Sequence, residues 1–188
     1  MADLERPPIS TAPCKKPPAT ANSVSPFYAA AAAALVAGTA WTSAFSLRPV
    51  LLWNASPSSR VGLYWVDAER SPRDGETAIA WAPEPARRLA AARGYLPANV
   101  PLVKRVAAAA GDRVCARKRV VFVNGRRVAL RRRSDPSGRR LPWWSGCTLL
   151  KPGDVLLLSA APAAFDGRYF GITHARQLIG SARLIWAA

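Results

Sequence analysis

The hydrophobic and polar positions divide the chain into three stretches. Residues 1–26 are rich in Pro, Ala, Ser and Thr and show no apolar period, which predicts a disordered cytoplasmic tail. Residues 27–47 then run for 21 positions without a charge, between Pro26 and Arg48-Pro49. At about 1.5 Å per residue that length crosses a ~30 Å hydrocarbon layer, so a transmembrane anchor is expected there. A cleaved secretory segment is the other reading, but a 26-residue leader ahead of it is long for that. Residues 48–188 form one further domain, in which short β-branched and aromatic runs alternate with turn residues. Strands are predicted at 61–66, 77–81, 102–107, 114–116, 120–123, 128–130, 155–159 and 182–186. Asn124-Gly125 is a two-residue hairpin signal. The Ala-, Leu- and Arg-rich stretch 85–93 reads as one short helix, stopped by Gly94. The fold class is therefore mainly β, with one N-terminal membrane helix and one short helix.

Charge adds a partner class to this picture. Lys and Arg number 27 against 11 Asp and Glu, a net charge of +16. Such an excess suits a nucleic acid, an anionic membrane surface or an acidic partner, or is a solvated surface. No nucleic-acid-binding fingerprint accompanies it, so no nucleic acid is expected. The densest cluster, Arg126, Arg127, Arg131, Arg132, Arg133, Arg139 and Arg140, surrounds Asp135-Pro136-Ser137-Gly138, which reads as an exposed turn suited to membrane lipid headgroups. Arg6, Lys15 and Lys16 in the short tail place the N-terminus inside and the domain outside. The single histidine, His174, argues against a zinc site and reads as a surface or packing residue. Cys14 lies in the tail; Cys115 and Cys147 either remain thiols or, as the outward placement of the domain favours, form a disulfide.

Candidate chemistry lies in two segments. One is Asn54-Ala55-Ser56-Pro57-Ser58-Ser59-Arg60-Val61-Gly62-Leu63-Tyr64; the other is Lys104-Arg105-Val106 followed by Gly111-Asp112-Arg113-Val114. A serine hydroxyl needs a base, and a lysine acts as one only when desolvation keeps it neutral. On a strand Leu102, Lys104 and Val106 share a face, so Lys104 sits between apolar neighbours while Arg105 points away. From spacing alone, the better reading of Lys104 is a partly exposed lysine at a sheet edge.

These segments resemble those of the signal-peptidase superfamily, and most of all the TraF-type peptidases of bacterial conjugation. A third segment, Asp166-Gly167-Arg168-Tyr169-Phe170-Gly171, is similar to that family's supporting box, and Cys115 and Leu141-Pro142-Trp143-Trp144-Ser145-Gly146-Cys147 match its TraF-type branch. The resemblance implies a signal-peptidase-like β domain in which Ser58 is the nucleophile and Lys104 the general base. The Ser58 N–H and the Ser56 hydroxyl would then hold the oxyanion, with Asp166 and Arg168 as a structural pair beneath. It implies no cofactor or metal. The implied substrate is an exported precursor or pilin, in company with conjugation or type IV secretion components. The implied location is the bacterial inner membrane, single-pass, with the catalytic domain on the periplasmic side. A housekeeping signal peptidase and a non-catalytic scaffold of a secretion assembly are the alternatives. Two positions depart from the pattern: Arg60 replaces a proline, and Ala164 stands where relatives often place a serine that orients the lysine. The linker from residue 47 to Ser58 spans at most about 36 Å, which would keep the site close to the bilayer, with Trp53, Trp65, Trp143 and Trp144 as candidates for the interfacial layer.

Overall fold

The computed structural model describes residues 26–44 and 50–188. The expected tail lies outside them except for Pro26, as do Cys14 and the last three residues of the expected anchor. Helix α1 runs Pro26–Ala44 and exposes Phe27, Tyr28, Leu35 and Val36. Among the described residues no helix is both long and apolar enough to cross a membrane.

The remaining described residues build two antiparallel sheets. The larger contains β1 (Leu51–Asn54), β2 (Gly62–Asp67), β3 (Thr77–Ala80), β4 (Leu102–Ala108), β9 (Leu156–Leu158) and β10 (Leu178–Ala187), in the order β1-β2-β10-β3-β4-β9. The smaller contains β5 (Arg113–Arg117), β6 (Val120–Val123), β7 (Arg126–Leu130) and β8 (Gly146–Leu149), ordered β7-β6-β5-β8. Helix α2 (Glu84–Ala92) follows β3, and the one-turn α3 (Gly167–Phe170) follows β9. The mainly β class is as expected. Every predicted strand is present, and α2 closes on Gly94, whose φ of +70° suits glycine at a helix C-terminus. At the hairpin tip Asn124 (φ 49°) and Gly125 (φ 81°) both take the left-handed values that a two-residue turn needs.

Burial of apolar faces holds the sheets. Tyr64, Val66, Ile79 and Val103 form one core group of the larger sheet, and Ala78, Val106, Val155 and Leu157 belong to another. Val114, Val121, Leu150 and Leu156 pack between β9 and the smaller sheet. Cys115 and Cys147 face each other across β5 and β8 and are joined by a disulfide. Closing a loop of 32 residues in the unfolded chain contributes about 3–4 kcal/mol.

The arginine cluster is less uniform than its sequence suggests. Arg131 is buried; its guanidinium donates to the Trp144 carbonyl at 2.6 Å and to the Lys118 carbonyl, and lies 4.9 Å from the Trp143 ring. Asp135 is also buried, paired with Arg139 at 2.7 Å and bonded to the Tyr95 hydroxyl. The exposed turn expected there is thus anchored from within, because its carboxylate finds two donors. Arg126, Arg127, Arg132, Arg133 and Arg140 do face solvent.

Candidate active site

Ser58 lies in the loop between β1 and β2. Seven residues without a strand partner would wander unless their polar groups were tied down, and Asn54 at the end of β1 does much of this. Its buried side-chain amide donates to the carbonyls of Ser56 (3.0 Å) and Arg60 (2.9 Å), while its Oδ1 accepts from the Ser56 N–H at 3.1 Å. The short Asn side chain thereby mimics a backbone turn. Tyr64 Oη donates to the Arg60 carbonyl at 2.8 Å, which closes the loop where the proline is missing. Gly62 then returns the chain to the sheet with φ of +149°; a Cβ there would lie 2.1 Å from the Trp186 carbonyl oxygen.

Lys104 comes from β4, an interior strand hydrogen-bonded to β3 and β9. Leu102, Val103, Lys104 and Val106 are buried and Arg105 is exposed, which is the predicted alternation at the lysine. The structure brings the two candidate residues together: Lys104 Nζ is hydrogen-bonded to Ser58 Oγ. Ser59, the next residue, turns its hydroxyl to the Val103 carbonyl instead, at 2.6 Å. Ser56 Oγ lies 2.9 Å from Ser58 Oγ and accepts from the Ser58 N–H at 3.4 Å. The two expected oxyanion donors, the Ser58 N–H and the Ser56 hydroxyl, thus sit side by side next to the Ser58 hydroxyl.

Burial sets the chemistry of the amine. Lys104 is only 4% exposed, and desolvation is the largest influence, bringing its pKa down to about 8. The Asp166 charge pulls the other way, and Arg168 pushes with desolvation. Beneath the site Asp166 and Arg168 form a fully buried ion pair. Arg168 Nε donates to Asp166 Oδ1 at 2.8 Å and Nη2 to Oδ2 at 3.0 Å; the Asp166 carboxylate also caps α3 through the Arg168 N–H at 3.1 Å. Burial raises the Asp166 pKa, against the bonds and charge of Arg168. Asp166 further accepts from the Ser159 N–H at 2.8 Å, and Arg168 Nη2 donates to the Ser159 carbonyl at 2.6 Å. Ser159 Oγ in turn donates to the Ser58 carbonyl.

A cleft of about 960 Å³ opens on Ser58 and Lys104, with an apolar lining that includes Leu52, Ala82, Leu102 and Phe165. The segment after α2 and the loop after β7 both line the cleft, and the Tyr95 hydroxyl joins them at Asp135, which also pairs with Arg139 of its own loop. Desolvation would lift the Asp135 carboxyl, but the hydrogen bonds from Tyr95 and Arg139 outweigh it and hold its pKa at about 2. Among the described residues no group of acidic, His or Cys side chains could hold a metal ion. His174 is exposed and paired with Asp154 at 2.9 Å, and it does not line the cleft.

Sequence reasoning missed three contributors. Asn54 enters the sequence reading only as part of a motif, although Asn ahead of a Ser-Pro loop is itself a turn signal. Ser59 stands in the sequence only as the residue after Ser58, with no signal of its own. Ser159 gives no local signal, since it lies 101 residues from the carbonyl that it binds.

Residues 23–187 match the family described as signal peptidase, peptidase S26. Two curated relatives, both plasmid transfer protein TraF from Escherichia coli, are similar to the chain. One is 33% identical over 169 residues, covering 82% of this chain and 91% of the relative; the other is 34% identical over 137 residues, covering 66% and 76%. Among solved structures, a signal peptidase I from Enterococcus faecalis aligns with a TM-score of 0.33 at 18% identity, over 60% of this chain and 97% of that one. With nearly its whole length matched, the chain belongs to the signal peptidase S26 family and is of the TraF type.

Proposed function

We propose that the chain is a membrane-anchored serine endopeptidase. It removes a signal or terminal peptide from an exported precursor, a conjugative pilin or a related transfer protein. The observation that carries this reading is the contact between Lys104 Nζ and Ser58 Oγ on the wall of an apolar cleft. When the amine is neutral, its lone pair takes the Ser58 hydroxyl proton as Oγ attacks the scissile carbonyl. The oxyanion that forms receives the Ser58 N–H and the Ser56 hydroxyl, each donor lowering the barrier by about 3 kcal/mol. The C–N bond then breaks and Lys104 returns the proton to the leaving amine. A water molecule, deprotonated by the same amine, hydrolyses the Ser58 ester.

Exposed apolar surface supports a location at the membrane. Leu51 pairs with Trp65 across β1 and β2, and Trp53 and Trp186 both pair with Leu63 from either side of β2. Trp53, Trp65 and Trp186 are each about half exposed, and the Trp53 and Trp186 rings lie 5.6 Å apart. A patch of indoles on one sheet edge suits the headgroup layer of a bilayer. With the uncharged α1 it supports an inner-membrane location, with the domain on the oxidising periplasmic side, where the disulfide is stable.

Mass spectrometry of a co-expressed pilin precursor tests the reading. Wild type should yield a shortened product, and Ser58→Ala and Lys104→Ala should each leave the precursor intact. Processing that survives both substitutions would instead favour the non-catalytic scaffold. Cleavage of many unrelated signal peptides, and not of the pilin precursor, would favour the housekeeping signal peptidase.

A further inference from the structure

Ala164 lines the cleft beside Lys104. Alanine has no hydroxyl, and among the described residues Lys104 Nζ has a hydrogen bond to Ser58 Oγ alone. The alignment of base and nucleophile must therefore be set from the nucleophile's side. We propose that Ser159 and Ser59 are the positioning residues that hold Ser58 against Lys104. This rests on the Ser58–Lys104 reading and adds to it the parts that fix its geometry.

Ser159 stands just beyond β9 and is 8% exposed. Its main-chain N–H is held by Asp166 Oδ2 at 2.8 Å and its carbonyl by Arg168 Nη2 at 2.6 Å, so the backbone that carries the hydroxyl is fixed by the buried ion pair. The hydroxyl oxygen accepts from the Ala161 N–H at 3.1 Å, which leaves its one proton for the Ser58 carbonyl. A hydroxyl locked at both its proton and its lone pair is a rigid tether. The ion pair thus reaches the nucleophile through Ser159 and does not touch it directly.

Ser59 supplies the second tether. Its hydroxyl donates at 2.6 Å to the carbonyl of Val103, the residue before Lys104 on β4. The peptide unit between Ser58 and Ser59 is therefore gripped at its carbonyl from the end of β9 and at the next side chain from β4. Those strands are neighbours in the sheet, so the loop bearing the nucleophile is referenced to the strand bearing the base. Without either tether the loop keeps its Asn54 turn but loses its registration on Lys104. A misplacement of about 1 Å at a reacting centre costs on the order of 100-fold in rate.

The test uses the full chain in detergent micelles and an internally quenched peptide spanning the cleavage site found in the co-expressed pilin precursor. Ser159→Ala should lower kcat roughly 10- to 100-fold, leave KM within about two-fold, and leave most of the thermal stability in place. Ser59→Ala should act in the same direction. Ser159→Thr, which keeps the hydroxyl, should recover most of the lost rate. A kcat for Ser159→Ala within two-fold of wild type would overturn the proposal, as would a loss of rate that merely follows the fraction of unfolded protein. Ser58→Ala in parallel separates the two levels: if it retains activity the dyad reading itself fails, whereas an inactive Ser58→Ala beside a fully active Ser159→Ala removes only the positioning role.

Discussion

Burial of a single amine makes a quantitative prediction about pH. A solvated lysine titrates near 10.5, and in this fold desolvation brings Lys104 down to about 8. At pH 7 about one molecule in ten then carries the neutral base, against about one in three thousand for a solvated lysine, a gain of roughly 300-fold in competent enzyme. The plot of kcat/KM against pH should therefore climb about ten-fold per unit below pH 8 and level off above it. Because desolvation outweighs the charges of Asp166 and Arg168, salt should move the midpoint little; screening acts on exposed charges far more than on a buried amine. The assay is initial-rate cleavage of the quenched peptide from pH 5.5 to 10. Lys104→Met is the control, expected to fall by about 10²- to 10⁴-fold at every pH. A rate independent of pH between 6 and 9, or one that rises only above pH 10, would refute the claim that a buried neutral lysine limits the reaction.

The remaining predictions concern stability. A lysine whose folded pKa lies below its unfolded value opposes folding while it is charged in the unfolded chain, so stability should rise with pH between about 8 and 10.5. Lys104→Met removes a cost on the order of 3 kcal/mol at pH 7 and loses about 1 kcal/mol of hydrogen bonding to Ser58. Calorimetry should show a Tm higher by about 4–8 °C at pH 7, with the gain shrinking towards pH 10. Arg168→Leu leaves the Asp166 carboxylate buried without its partner and should destabilise the domain by about 3–5 kcal/mol in urea denaturation. Replacing both Cys115 and Cys147 by serine should remove about 3–4 kcal/mol, and a reducing agent should then have no further effect on the urea midpoint.

The legible parts of the fold and site were those written in local pattern. The Val- and aromatic-rich runs became strands and Asn124-Gly125 became a hairpin, whereas the burial of Lys104 was legible only through the family resemblance, its spacing alone suiting a sheet edge. Two strands left no such signal. β1 has four residues next to Arg48-Pro49, and β8 is Gly-Cys-Thr-Leu, a weak strand sequence held at the sheet edge by its pairing with β5 and by the disulfide. The arginines misled for a related reason. Composition cannot distinguish Arg131, which binds two carbonyls and stacks on Trp143, from its solvated neighbour Arg132. The links that organise the site are long-range. Ser159 meets Ser58 across 101 residues and Ser59 meets Val103 across 44, so only the order of strands in the larger sheet brings them together.

Covalent chemistry at Ser58 is the central claim, and trapping it tests that claim most directly. The full-length protein is mixed with the precursor peptide, quenched in acid during steady turnover, digested and analysed by mass spectrometry. The account predicts a substrate acyl group on the peptide containing Ser58, absent from Ser58→Ala. An acyl group on any other residue, or steady product release by Ser58→Ala, would contradict it.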